Sequence, residues 1–110
     1  MRHSQDNVFS GTGIDATTES SVIDLREVYA FSLHGKWTKN SGTVGGTYKI
    51  QISNDGENFI DLTDYSETLS DASGEVFFNY DGCAGFSYMK IVLTLTGGDI
   101  DLDSYLSTKG

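Results

Sequence analysis

Apolar and polar residues alternate with a period of two along most of this chain, and nowhere do they recur at helical spacing over several turns. The cleanest alternation runs from Tyr29 to Thr38. Tyr29, Phe31, Leu33 and Trp37 are predicted to face a core, with Ser32, His34, Lys36 and Thr38 facing away. Gly35 takes the inward slot between Leu33 and Trp37, which marks a bulge or a close backbone approach. Tyr48, Ile50 and Ile52 form a second stripe. Ser53-Asn54-Asp55-Gly56 then signals a tight turn, and Phe59 and Leu62 return apolar side chains to the core. The Gly- and Ser-containing stretch from Lys39 to Gly46 predicts a loop that joins these two strands as a hairpin.

The remaining segments extend this pattern. Val22, Ile23 and Leu25 predict a short strand over Ser21 to Leu25, and Thr63 to Ser73 reads as a long acidic loop with a short strand, anchored by Tyr65 and Leu69. Gly74 to Tyr80 places Val76, Phe78 and Tyr80 on one face and Phe77 on the other. Tyr88 to Thr96 turns Met89, Ile91, Leu93 and Leu95 inward. Gly97-Gly98-Asp99 predicts a hairpin turn into a last strand built on Ile100, Leu102 and Leu106. Met1 to Ser20 is polar, an N-terminal arm or edge segment whose anchors are Val8, Phe9 and Ile14, and residues 21–110 form the folded domain. The fold class is therefore all-β: a single-domain β-sandwich, jelly-roll-like, with about seven or eight antiparallel strands.

Length and charge narrow the function. A chain of 110 residues holds one core. Its net charge of −9 argues against nucleic acid, whose binding relies on Lys and Arg to release counterions, and against an anionic membrane surface. The acids from Asp55 to Asp81 are uninterrupted by Lys or Arg, whereas Arg26, Lys36, Lys39 and Lys49 lie earlier. If the two groups sit on opposite sides, the domain is electrostatically polar. The single Cys83 makes no internal disulfide and is read as a small buried thiol. The charged N-terminus is followed by no apolar run of the signal-peptide kind, and no segment reaches transmembrane length, so the chain is expected to be soluble and made in the cytoplasm.

Chemistry-bearing patterns are sparse. With His3 and His34 as its only histidines, the sequence assembles no nucleophile, base and orienting acid, and it is read as a non-enzyme without a cofactor. Asp99, Asp101 and Asp103 share a strand face, where like charges repel unless Ca²⁺ or a facing cation intervenes; without the Gly and distal Glu of a Ca²⁺ loop they are read as a solvated acidic face that holds no metal. Phe77, Tyr88 and Tyr105 lie off the core stripe and are the candidates for a carbohydrate platform; their alternative role is a second apolar layer or a subunit interface.

One resemblance goes further. Ser32 to Trp37, then Gly46-Thr47-Tyr48-Lys49-Ile50-Gln51-Ile52-Ser53-Asn54-Asp55-Gly56-Glu57-Asn58-Phe59, with the ending Ser107-Thr108-Lys109-Gly110, resembles small jelly-roll structural proteins of tailed bacteriophages. The resemblance implies a capsid decoration, or cementing, protein of the virion. Its partner would be the major capsid protein lattice and its state a homo-oligomer, typically a trimer, with Val8, Phe9 and Ile14 docking on the shell or on a sister subunit. The alternative is a carbohydrate- or receptor-binding module of a phage tail or fibre on the same sandwich. The Ser-x-Asp-Gly turn is also similar to that of discoidin-like sandwiches, which are longer. The sialidase Asp-box is excluded because Asp55 and Gly56 are adjacent.

Overall fold

The structure is a computed structural model that describes residues 3–81 and 86–109. Among the described residues seven strands follow one another: β1 (His3–Ile14), β2 (Thr18–Glu19), β3 (Ile23–Asp24), β4 (Ala30–Ser53), β5 (Ile60–Thr68), β6 (Gly74–Asp81) and β7 (Tyr88–Lys109). All pairings are antiparallel, and among the described residues there is no helix. Cys83 lies outside the described residues.

The two predicted hairpins are absent. Residues 39–46 do not turn the chain back, and neither do residues 97–99; β4 and β7 each run on as one long strand. The two pair with each other from Ala30↔Lys109 through Trp37↔Leu102 and Ile50↔Ile91 to Ser53↔Tyr88. The glycines that suggested turns lie where both strands bend together. Register slips there between Lys39, Ser41, Gly45 and Gly46 of β4, opposite Asp99 to Leu95 of β7. Gly46 has φ 137°, and a Cβ on it would run into the Thr94 carbonyl oxygen. Side chains at such a crossing would hold the strands apart, so glycine serves a bend as readily as a turn.

Beyond the bend each strand enters a second layer. The first halves of β4 and last half of β7 make one layer, in the order β6–β4–β7–β1. The other halves make the second, with β5 on the far side of β4 and the short β2 and β3 on the far side of β7. The sandwich is thus one continuous seven-stranded sheet folded over on itself. The N-terminal segment belongs to it: β1 is an edge strand, held to β7 from His3↔Lys109 to Ile14↔Ile100.

The predicted inward stripes fill the space between the layers. Phe31, Leu33, Trp37, Tyr48, Ile50, Met89, Ile91, Leu93, Ile100 and Leu102 are all buried. Gly35 is a close-approach site: the Tyr48 ring from the opposite layer occupies the space of its missing side chain, 2.7 Å from where a Cβ would stand. The Tyr48 hydroxyl donates a 2.7 Å hydrogen bond to Ser104 Oγ, a fully buried polar pair that ties the layers together. Burial pushes the Tyr48 hydroxyl well above the usual tyrosine range, with the bond to Ser104 pulling the other way. At the open side, Tyr65 of β5 packs against Phe78 and Tyr80 of β6 with centroids 5.6 and 5.4 Å away, and its hydroxyl donates to the Asn79 carbonyl. Tyr29, predicted to face the core, is instead 67% exposed; it precedes β4, and its amide bonds the Lys109 carbonyl.

Residues 60–68 make a longer strand than the acidic loop predicted there. Its register slips between Lys49↔Ser66 and Gln51↔Asp61, and Asp64 takes φ 71° inside the resulting bulge. Leu69 is buried beyond it. The loop that follows clamps the β4 bend: Asp71 accepts the Val44 amide at 2.8 Å and meets Lys39 Nζ at 2.8 Å, while Trp37 Nε1 donates to the Ala72 carbonyl.

Candidate functional site

Strand alternation leaves each layer an outer face, and the face of β6–β4–β7–β1 carries aromatic, imidazole, amide and hydroxyl side chains in register. In the register, Phe77 of β6 lies beside His34 of β4, His34 beside Tyr105 of β7, and Tyr105 beside Asn7 of β1. Phe77 is 64% and Tyr105 39% exposed. The His34 and Phe77 rings sit with centroids 6.2 Å apart, and His34 Nε2 is 3.5 Å from the Glu75 carboxylate. The three residues thus stand in one cross-strand row, with the His34 ring tilted 52° to that of Phe77.

Polar rows flank the rings on both sides. Towards the start of β4, Asn79, Ser32 and Ser107 are in register. A shallow cavity of about 240 Å³ opens over them, bounded also by Asp81 and Lys109. Towards the bend the next row is Glu75, Lys36 and Asp103. Of the three off-core aromatics singled out from the sequence, the structure brings together Phe77 and Tyr105. Tyr88 is elsewhere, since the β7 bend carries it into the second layer, where it pairs with Ser53 and Asp24 and has the Arg26 guanidinium 5.6 Å over its ring. His34, which the alternation places on the polar face, fills the middle position. The period-two pattern puts it outward; only the cross-strand register reveals that it stands between two aromatics.

The other candidates have structural occupations. Phe9 is buried, and Val8 and Ile14 are half-buried against the core, so in this chain all three hold β1 onto the sandwich. Asp101 accepts the Asn40 side-chain amide at 2.8 Å and the Gly13 backbone amide at 2.9 Å, which hold its carboxyl below the usual range. Asp103 lies 3.5 Å from the Asn7 amide. Among the described residues no group of His, Cys, Asp or Glu is arranged to hold a metal ion.

Asp55 builds its turn outright. One carboxylate oxygen accepts the Glu57 and Asn58 amides at 2.9 and 2.8 Å and the Ser53 hydroxyl at 2.8 Å; the other accepts the Asn58 side chain. These bonds, the Asn58 amide first, hold the Asp55 carboxyl far below its ordinary value. Nor do acids and bases sit on opposite sides of the domain. The fold sets them together, with the loop residue Asp71 against Lys39 and Asp61 of β5 3.2 Å from Lys49 of β4.

No family model matches the chain, and no curated protein matches it. Its likeness is to solved structures. A protein from the SPBc2 prophage, YomS, superimposes with a TM-score of 0.57 at 18% identity over 97% of this chain and 96% of that one. The Tobacco streak virus coat protein, solved as a dimer, gives 0.52 at 11% identity over 97% of this chain and 83% of that chain. The C-terminal CBM6 of LamC, an enzyme from Zobellia galactanivorans, gives 0.51 at 11% identity over 96% and 91%. At these identities the likeness is one of fold: a jelly-roll-like β-sandwich shared by phage, viral-coat and carbohydrate-binding proteins.

Proposed function

We propose that this chain is a non-enzymatic structural protein of a bacteriophage virion, bound to the outer surface of the capsid as a decoration protein that stabilises the head. The supporting observation is the end-to-end correspondence of fold and length with the SPBc2 prophage protein, in which one sandwich accounts for nearly all of both chains. The viral coat protein shares that architecture, so the sandwich suits packing into shells. The partner in this reading is the major capsid protein lattice, engaged by a homotrimer, and the mechanism is mass action: a ligand that binds only the assembled lattice stabilises it.

Because Val8, Phe9 and Ile14 pack on the chain's own core, the proposal places shell contact on the β5 edge. There Ile60 is 68% exposed, and further along come Asp64 and Glu67. An acidic edge with an exposed apolar side chain suits a basic patch on the shell. Cosedimentation with undecorated capsids tests the reading: the protein is expected to pellet with them at low and moderate salt, and an absence of association at both sinks it. Ile60→Asp is expected to abolish pelleting while leaving the melting temperature within a few degrees, since the side chain is exposed. Light scattering of the free protein is expected to give the mass of a trimer.

A further inference from the structure

We propose that the outer face of the β6–β4–β7–β1 layer is a binding platform for a neutral saccharide, with Phe77, His34 and Tyr105 as its floor. A pyranose ring presents C–H groups on its faces and hydroxyls around its rim. It therefore needs a flat apolar surface bordered by hydrogen-bonding groups. The platform offers exposed ring surface bordered by such groups, with the His34 and Phe77 rings inclined at 52° to each other. Phe77 and Tyr105 stand exposed on either side of His34 in one cross-strand row. One flank offers the amide of Asn79 and the hydroxyls of Ser32 and Ser107 beneath the cavity of about 240 Å³. That space lies below the roughly 300–1,000 Å³ of pockets for drug-sized ligands and suits one small ring seated at the end of a longer chain.

Two features select this occupant over a protein. The apolar strip is one residue wide, with polar rows on both sides, whereas a stable protein interface buries about 800 Å² per partner around an apolar core. The other flank carries both signs of charge, Lys36 between Glu75 and Asp103, which favours an uncharged ligand with both donors and acceptors. Exposed rings in the middle of rigid strands also lose little conformational freedom on binding, which preserves affinity from a small contact. The platform lies on a different face from the β5 edge, so it stands apart from the capsid-binding reading.

Affinity electrophoresis and isotope-labelled NMR with laminarihexaose, cellohexaose, xylohexaose and chitohexaose test the proposal. Saturable binding of at least one is expected, with amide shifts centred on His34, Phe77, Asn79 and Tyr105. Phe77→Ala and Tyr105→Ala are each expected to weaken it about tenfold, as loss of a stacked ring does, and Tyr88→Ala to leave it unchanged. No binding by any of the four at millimolar saccharide overturns the proposal. So does binding that survives the Phe77→Ala/Tyr105→Ala double variant. A drop in solution mass on Phe77→Ala would overturn it by assigning the strip to contact between copies of the chain. Because the capsid reading is tested by pelleting and by Ile60, the two fail separately.

Discussion

Tyr48 shows how much one side chain decides in a core this thin. Its ring fills the gap left by Gly35, its hydroxyl satisfies Ser104, and it stacks 6.5 Å from Phe78. Tyr48→Phe is expected to cost about 1–3 kcal/mol, because Ser104 is left with a buried, unanswered hydroxyl. Adding Ser104→Ala is expected to recover most of that loss, and urea unfolding of the single and double variants measures the coupling. Gly35→Ala fails differently, by overpacking, at about 1–3 kcal/mol, read as a lowered melting temperature. The close approach at Gly35 was legible from its inward slot in the alternation. Its partner was not, because Tyr48 reaches it from the opposite layer and sequence spacing says nothing about which strands face each other.

Among the elements, β4 and β7 set the lesson. Alternation located their apolar halves correctly, since Phe31, Leu33, Tyr48, Ile50, Met89, Ile91 and Ile100 are all buried. The glycines between those halves have the composition of turns, and the chain instead bends there and runs on as one strand. Local chemistry cannot distinguish the two outcomes: a positive φ at Gly42 and Gly98 serves a hairpin or a bend equally. The distinction lies in the long-range pairing of one bend against the other, with Gly45 opposite Gly97. Gly46→Ala is therefore expected to destabilise by about 3 kcal/mol or more, well beyond an ordinary Gly-to-Ala exchange, since the Cβ meets the Thr94 carbonyl oxygen on the partner strand. Thermal melts of Gly46→Ala against Gly13→Ala, where a Cβ meets nothing within 4 Å, separate the steric cost from the conformational one. The platform was partly legible for the same reason: Phe77 and Tyr105 fall off the core stripe, but the bend that removes Tyr88 from their company leaves no local mark.

For the whole molecule, the carboxylates set the response to acid. Asp24 is pulled down to about 2, first by its side-chain hydrogen bond from Arg26, and Asp55, Asp61, Asp71 and Asp101 are lowered by their own hydrogen bonds. Groups whose folded values lie below their unfolded ones add stability above about pH 4, and that contribution disappears as pH falls through the folded values. The melting temperature is thus expected to drop steadily from about pH 4 towards pH 2, and its difference from that of Asp55→Asn to narrow over the same interval. The continuity of β4 and β7 through both layers reaches beyond geometry. Neither layer owns a complete set of strands, so neither can open while the other stays closed. Amide hydrogen exchange along both halves of the two strands should accordingly report one and the same opening free energy, that of the entire domain, with slower-protected islands absent and only the edge strands β1, β6, β5, β2 and β3 exchanging sooner.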